Sequence, residues 1–156
     1  MNNLPLLRYA REEDCAALFA IHADAVTTQC HHHYSSLQLA IWLEGRDQQT
    51  YLPAISRQDL WLAEDDDGAL GFVEVAGATI NKLFVAGHAA GRGVGSQLLH
   101  HALHMLRQRG YQEIVLESTL NARSFYRRAG FQETGRGVFS GGYSGCTLEI
   151  VFMQLA

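Results

Sequence analysis

One segment limits what this chain can fold into more than any other. Residues 83–99 read "LFVAGHAAGRGVGSQLL": a short apolar run, a glycine-rich turn, and at once a helical pattern. At about 100° per residue, Val94, Leu98, Leu99, Ala102, Met105 and Leu106 share one face, which predicts a helix over 93–109 closed by Gly110 as a left-handed cap. Gln97, His100, His101, His104, Arg107 and Gln108 gather on the opposite, solvent side. The first amides of a helix have no partner within it, and the helix dipole makes that end positive. Bare backbone at such a mouth suits an anion.

The rest of the chain frames this unit. Leu6 to Tyr9 predicts a first strand, and Ala17, Leu18, Ile21 and Ala25 predict a helix over 13–26. A second helical pattern follows "HHHYSS", through Leu37, Leu39, Ile41, Trp42 and Leu43, with Ser35 or Ser36 as its cap. Two β-prone runs flank Asp67-Gly68, a hairpin signal. "TINKLFVA" leads into the glycine turn, "EIVLES" follows the helix, and "NARSFYRRAG" reads as a short helix closed by Gly130. "FQETG" and "CTLEIVFMQL" are two closing strands, joined by a mobile turn with five glycines between Gly135 and Gly145. An early helical region, a meander, one β-α-β crossover and closing strands make an α+β fold with a mixed sheet, not a doubly wound repeat. A length of 156 residues, 47% of them hydrophobic, suits a single domain over 1–156 with a sizeable core.

Three anion-binding readings compete for the glycine turn. A Walker A loop needs G-x-x-x-x-G-K-[ST], and neither the spacing nor the lysine is present. A dinucleotide turn needs G-x-G-x-x-G, but counting from Gly93 puts Leu98 where the last glycine belongs. Glu117 could mimic the ribose-binding acid, yet one β-α-β unit is half of what that fold requires. The third reading is a pyrophosphate held by successive amides, with Gly91, Gly93 and Gly95 removing the Cβ atoms that would obstruct it.

The third reading carries a resemblance. "LFVAGHAAGRGVGSQLL" resembles the acyl-CoA-binding motif of the GCN5-related N-acetyltransferase (GNAT) family, [Q/R]-x-x-G-x-[G/A], with Gly93 and Gly95 at its last fixed positions and Ala90 where Gln or Arg is usual. "NARSFYRRAGF" resembles the family's second motif through Asn121, Phe125, Tyr126, Gly130 and Phe131. "LRYAREEDCAALFAIHADAV" looks like its opening strand and helix, and "HYSSLQLAIW" is similar to a segment of a subgroup of small members. The resemblance covers essentially the whole chain. It implies the acyl-CoA N-acyltransferase fold, a mixed and mostly antiparallel sheet flanked by helices. It also implies acetyl-CoA as donor, transferred directly to a primary amine, on a small molecule or alternatively on a protein N-terminus or lysine.

By the same resemblance, the backbone of Leu83, Phe84 and Val85 would bond the donor's pantetheine arm. Ala90, Gly91, Arg92, Gly93, Val94, Gly95 and Ser96 would form the diphosphate cradle, with Arg92 adding charge. Tyr126 would protonate the departing thiolate, with packing under the sheet as its structural alternative, and Asn121 would order the arm or the loop. Glu74 and Glu117 are the candidate bases, because each interrupts an apolar strand; a solvent-facing strand position is the plainer reading of both. His33 and Tyr34 are candidates to line the acceptor pocket. A cofactor-binding sensor without catalysis is the rival reading.

Other features carry less. His100, His101 and His104 outline H-E-x-x-H without its glutamate and on the solvent face, so no metal is expected. Cys15, Cys30 and Cys146 are odd in number and dispersed, which suits free thiols in a reducing compartment. Asp65 to Asp67 fit a solvated hairpin turn, and Trp42 and Trp61 fit core anchors. A net charge of −4 without a basic block argues against nucleic acid. No apolar run approaches the roughly 20 residues that span a bilayer. The opening "MNNLPLLRYAREED" lacks a basic start and a long apolar stretch, so a cytoplasmic location is expected, with a homodimer allowed.

Overall fold

The computed structural model describes residues 5–29, 48–139 and 148–155. Seven strands, β1 (Leu6–Tyr9), β2 (Leu60–Asp65), β3 (Gly68–Ala76), β4 (Thr79–Val85), β5 (Val115–Ser118), β6 (Phe131–Phe139) and β7 (Leu148–Leu155), form one sheet. Their order is β1-β2-β3-β4-β5-β7-β6, and among the described residues the only parallel pair is β4 with β5. The helices are α1 (Cys15–Gln29), α2 (Leu52–Ser56), α3 (Val94–Gln108) and α4 (Arg123–Arg128). This is the α+β fold with a mixed sheet that the sequence pattern predicts, and the mostly antiparallel, helix-flanked form of it that the resemblance implies. The second helical pattern, with Ser35, Ser36 and Trp42, and also Cys30 and Cys146, lie outside the described residues.

Strand alternation divides the core between the two faces of the sheet. Trp61, Ala63, Val73, Val75, Ile80 and Leu116 pack with the buried stripe of α3, namely Val94, Leu98, Leu99, Ala102, Leu103 and Leu106. Leu60, Leu62, Phe72 and Phe84 pack on the other face with Leu18 and Ile21 of α1 and with Tyr51. Gly71 marks the tightest packing: a Cβ there would lie 2.8 Å from the carbonyl oxygen of Phe84 and 3.1 Å from Leu98. At the other end of the sheet, Arg8 ties three elements together. Its guanidinium donates to both carboxylate oxygens of Asp14, at 2.8 and 3.0 Å, and its Nε to Glu64 at 2.8 Å. Asp14 also accepts the Arg11 amide at 2.7 Å, fastening the entry to α1.

Two irregularities shape the centre of the sheet. The β3–β4 register passes from Glu74 opposite Lys82 to Val75 opposite Ile80, leaving Asn81 as an extra, bulged residue. Immediately before it, β4 and β5 pair at only two positions, Thr79 with Val115 and Ile80 with Leu116. Beyond Ile80 the two parallel strands part.

Four expectations need correction. The hairpin turn is Asp66-Asp67 rather than Asp67-Gly68, with Gly68 already pairing with Asp65 at φ +126°. Arg136–Phe139 also belong to β6, because they complete the register with β7 out to Leu148. His101 is not on the solvent side: it is half-buried against the Trp61 ring, with centroids 5.1 Å apart. Burial and neighbouring His104 hold its pKa below the ordinary value. Glu74 does not face solvent either; it is buried and ion-paired with Lys82.

Candidate active site

The site grows from the parting of β4 and β5. Leu83, Phe84 and Val85 are bonded to β3 through the pairs with Val73, Phe72 and Gly71, and their other edge faces the gap, where β5 no longer pairs. A strand edge presenting amides and carbonyls is a template for an extended ligand carrying amides of its own.

At the end of β4 the chain is tied down before it turns. The Ala86 amide donates to the Leu70 carbonyl at 2.8 Å, and the Gly87 amide donates to the Asp24 carboxylate on α1. Buried Ala89 anchors the short turn Gly87–Ala89. Gly91 and Gly93 then adopt φ +80° and +79°, a left-handed conformation that favours glycine. An added Cβ at either would meet nothing within 4 Å, so the protein's own packing does not require glycine there; the backbone twist does. Gly93 is the N-cap of α3 and offers no side-chain cap, and the first intrahelical bond runs from the Gln97 amide to the Gly93 carbonyl. The amides of Val94, Gly95 and Ser96 precede that bond, so a left-handed residue feeds a right-handed turn and leaves a concavity of N–H groups. This geometry fits a diphosphate. Arg92, at the rim, is partly exposed and pairs with Asp65 at 3.3 Å.

Gly95 links the two motifs. A Cβ there would touch the Phe125 ring at 3.5 Å and Val85 Cγ2 at 3.6 Å, ordinary contacts that glycine or alanine would both satisfy. The start of α3, the end of β4 and α4 therefore meet at one point. Asn121 lies in the short turn Leu120–Ala122 between β5 and α4, half-buried. Tyr126, one residue past Phe125, is buried, with its ring edge-on to Phe125 and Phe131 at 5.1 and 5.8 Å. Burial pushes its phenol above the ordinary value, so the hydroxyl keeps its proton across the neutral range.

The two carboxylates have different surroundings, although both lie on the sheet face opposite α3, since their strand neighbours Val73, Val75 and Leu116 point into the α3 core. Glu117 is exposed, opposite Phe152 on β7. Glu74 receives Asn81 and Lys82 on a single carboxylate oxygen. His33 and Tyr34 lie outside the described residues.

Sequence reasoning missed Asp24 and the pair His22 and Tyr51. His22 stacks on Phe84 with centroids 4.2 Å apart, and its Nδ1 lies 2.9 Å from the Tyr51 hydroxyl. A lone polar residue inside an apolar helix gives no warning of such partners. Among the described residues, no group of three His, Cys, Asp or Glu side chains could hold a metal ion, and no helix is long and apolar enough to cross a membrane.

Comparison with known proteins gives this geometry a context. The acetyltransferase (GNAT) domain family model matches residues 30–152. A peptidyl-lysine N-acetyltransferase, YjaB of Salmonella typhimurium, is 36% identical over 131 residues, covering 83% of this chain and 85% of that protein. The crystal structure of a GCN5-related N-acetyltransferase from Rhodopseudomonas palustris superposes with a TM-score of 0.91 over 100% of this chain and 98% of its own, at 24% identity. The PaiA N-acetyltransferase of Thermoplasma acidophilum, solved in complex with coenzyme A, superposes with a TM-score of 0.79 over 99% of both chains, at 19% identity.

Proposed function

The chain belongs to the acetyltransferase (GNAT) family and is an N-acetyltransferase, and from that premise we propose that it moves the acetyl group of acetyl-CoA directly onto a primary amine held in the same complex. The observation that carries this reading is the parting of β4 and β5 after Ile80, beside the left-handed glycine loop. One opening offers a strand edge for the amide-bearing pantetheine arm and a nest of N–H groups for the diphosphate.

The chemistry follows from this arrangement. The neutral amine attacks the thioester carbonyl, and a backbone amide of the Leu83–Val85 edge faces the oxyanion that forms. As the carbon–sulfur bond breaks, the sulfur leaves as a thiolate, and Tyr126 supplies the proton that completes the thiol. The amine's surplus proton leaves through water to Glu117, which is exposed and able to exchange with solvent. Asn121 orders the turn leading to Tyr126. Arg92 exchanges its contact with Asp65 for the donor's phosphates. The three cysteines have no part in it, so no acyl-enzyme forms.

The acceptor is a primary amine on a small molecule. A protein lysine is the second reading, favoured by the peptidyl-lysine activity in the name of the YjaB relative. Release of free thiol from acetyl-CoA, followed across a panel of small amines and lysine-containing peptides, tests both. Turnover with a small amine supports the proposal, and turnover with peptides alone shifts the acceptor to protein. Binding of acetyl-CoA without turnover across the whole panel would instead make the protein an acyl-CoA sensor.

A further inference from the structure

Glu74 is a buried carboxylate, 4% exposed, near the end of β3. Burying a charge is costly unless it is paired and hydrogen-bonded. Both donors that satisfy it come from β4 and converge on one oxygen: the Asn81 amide nitrogen, and Lys82 Nζ at 3.0 Å. Asn81 is the bulged residue, Lys82 is the first to resume the ladder, and Ile80, just before them, is the last to pair with β5. Three events thus coincide at one place: pairing with β5 stops, β4 gains an extra residue, and a buried carboxylate takes hold of that residue and its neighbour.

The bulge reconciles two demands. Ile80 is 3% exposed in the α3 core, and Leu83 packs against that same core, although they stand three positions apart and a regular strand would send them to opposite faces. The extra residue restores the alternation and bends the strand. What remains is to hold the extra residue in place, and the Glu74 carboxylate does so.

We propose that Glu74 is a positioning residue that clamps the Asn81 bulge and thereby holds the Leu83–Val85 edge away from β5, on the side where the donor would lie. This rests on the acetyl-transfer reading of the gap. A carboxylate engaged by two donors is poorly placed to take a proton from the acceptor, so the base role falls to Glu117.

The test reads the coenzyme A Kd by calorimetry and, separately, donor KM, kcat and their pH profiles. Glu74→Gln is expected to raise Kd and donor KM about tenfold, with kcat at saturating donor within about threefold of wild type and the acidic limb of its pH profile intact. Asn81 is exposed, so Asn81→Ala should fold even if the Glu74 variant does not, and must raise Kd in the same direction. Unchanged Kd in Asn81→Ala would overturn the clamp. So would a roughly hundredfold loss of kcat in Glu74→Gln with donor KM unchanged and the acidic limb gone, which is the signature of a general base. A wild-type protein that binds coenzyme A yet acetylates nothing would sink the acetyl-transfer reading and leave the clamp to be judged on Kd alone.

Discussion

Tyr126 sits between two aromatic rings with its phenol held in the protonated form by burial. A donor to a thiolate must carry its proton, but burial also makes the phenol a weaker acid, so the role is tested by removing the hydroxyl. Tyr126→Phe keeps the ring and its packing, so donor affinity should stay within about twofold while kcat falls by about a hundredfold, the usual contribution of a positioned acid. The pKa also has a sign to check. A phenol raised in the folded state contributes stability fully below its unfolded value of about 10 and loses it as the pH rises through the higher folded value. The wild-type rate should therefore show no loss from phenol ionisation up to about pH 10. At this scale the sequence was readable where a residue type had few alternatives. The motif resemblance names Tyr126, Asn121 and Gly93 as candidates. Glu74 could be named but not understood, because its partners Asn81 and Lys82 lie across a turn and depend on a bulge that no periodicity announces.

The element that matters most is the entry to α3. Gly93 is left-handed at φ +79° with open space around it, so a side chain there is strained by its backbone and not by contact. Replacement by alanine should cost about 1–2 kcal/mol of stability. Gly93→Asp adds a negative charge at the mouth of the amide nest, and titration calorimetry should find coenzyme A binding weakened by at least about a hundredfold. Near-wild-type affinity in that variant would mean that the diphosphate lies elsewhere. At Gly91 and Gly93 the left-handed twist is a second demand for glycine, beside the room that a bare backbone leaves for a diphosphate. At Gly95 a Cβ would make only ordinary contacts with Phe125 and Val85, so alanine should be tolerated there by the protein's own packing. Other elements were legible to within a residue or two. β6 was cut short because Gly135 and Gly137 look like turn residues; in the sheet they lie against Phe152, whose ring would stand 2.6 Å from a Cβ at Gly137.

Across the whole molecule, one sheet is shared by two apolar clusters, one under α3 and one under α1. Neither can separate without stripping a face of the same strands, so unfolding should be a single cooperative transition, with fluorescence and circular dichroism curves that coincide. Two transitions would divide the chain into more than one unit. Its acid limb has an identified source. The Arg8 guanidinium holds the carboxyls of Asp14 and Glu64 below the ordinary carboxylate range. Groups depressed in this way stabilise the fold above their unfolded values of about 4 and lose that contribution as the pH falls through the lower folded ones. Asp14→Asn should cost about 1–2 kcal/mol at neutral pH, and correspondingly less as the wild type approaches its own acid transition.

Local chemistry is what the sequence determined by itself. Helix and strand periods and the glycines that permit a left-handed turn are properties of short stretches, and the resemblance of two such stretches to known motifs was sufficient to name the family and the donor. The tertiary structure decided which groups meet. It placed Phe125 of α4 against Gly95 and Val85, drew Asp24 to the Gly87 amide, brought Arg92 to Asp65 and buried Glu74 beneath the bulge. Those pairings span up to 63 positions of chain, and their energies depend on burial and on strand register, neither of which exists until the sheet has formed.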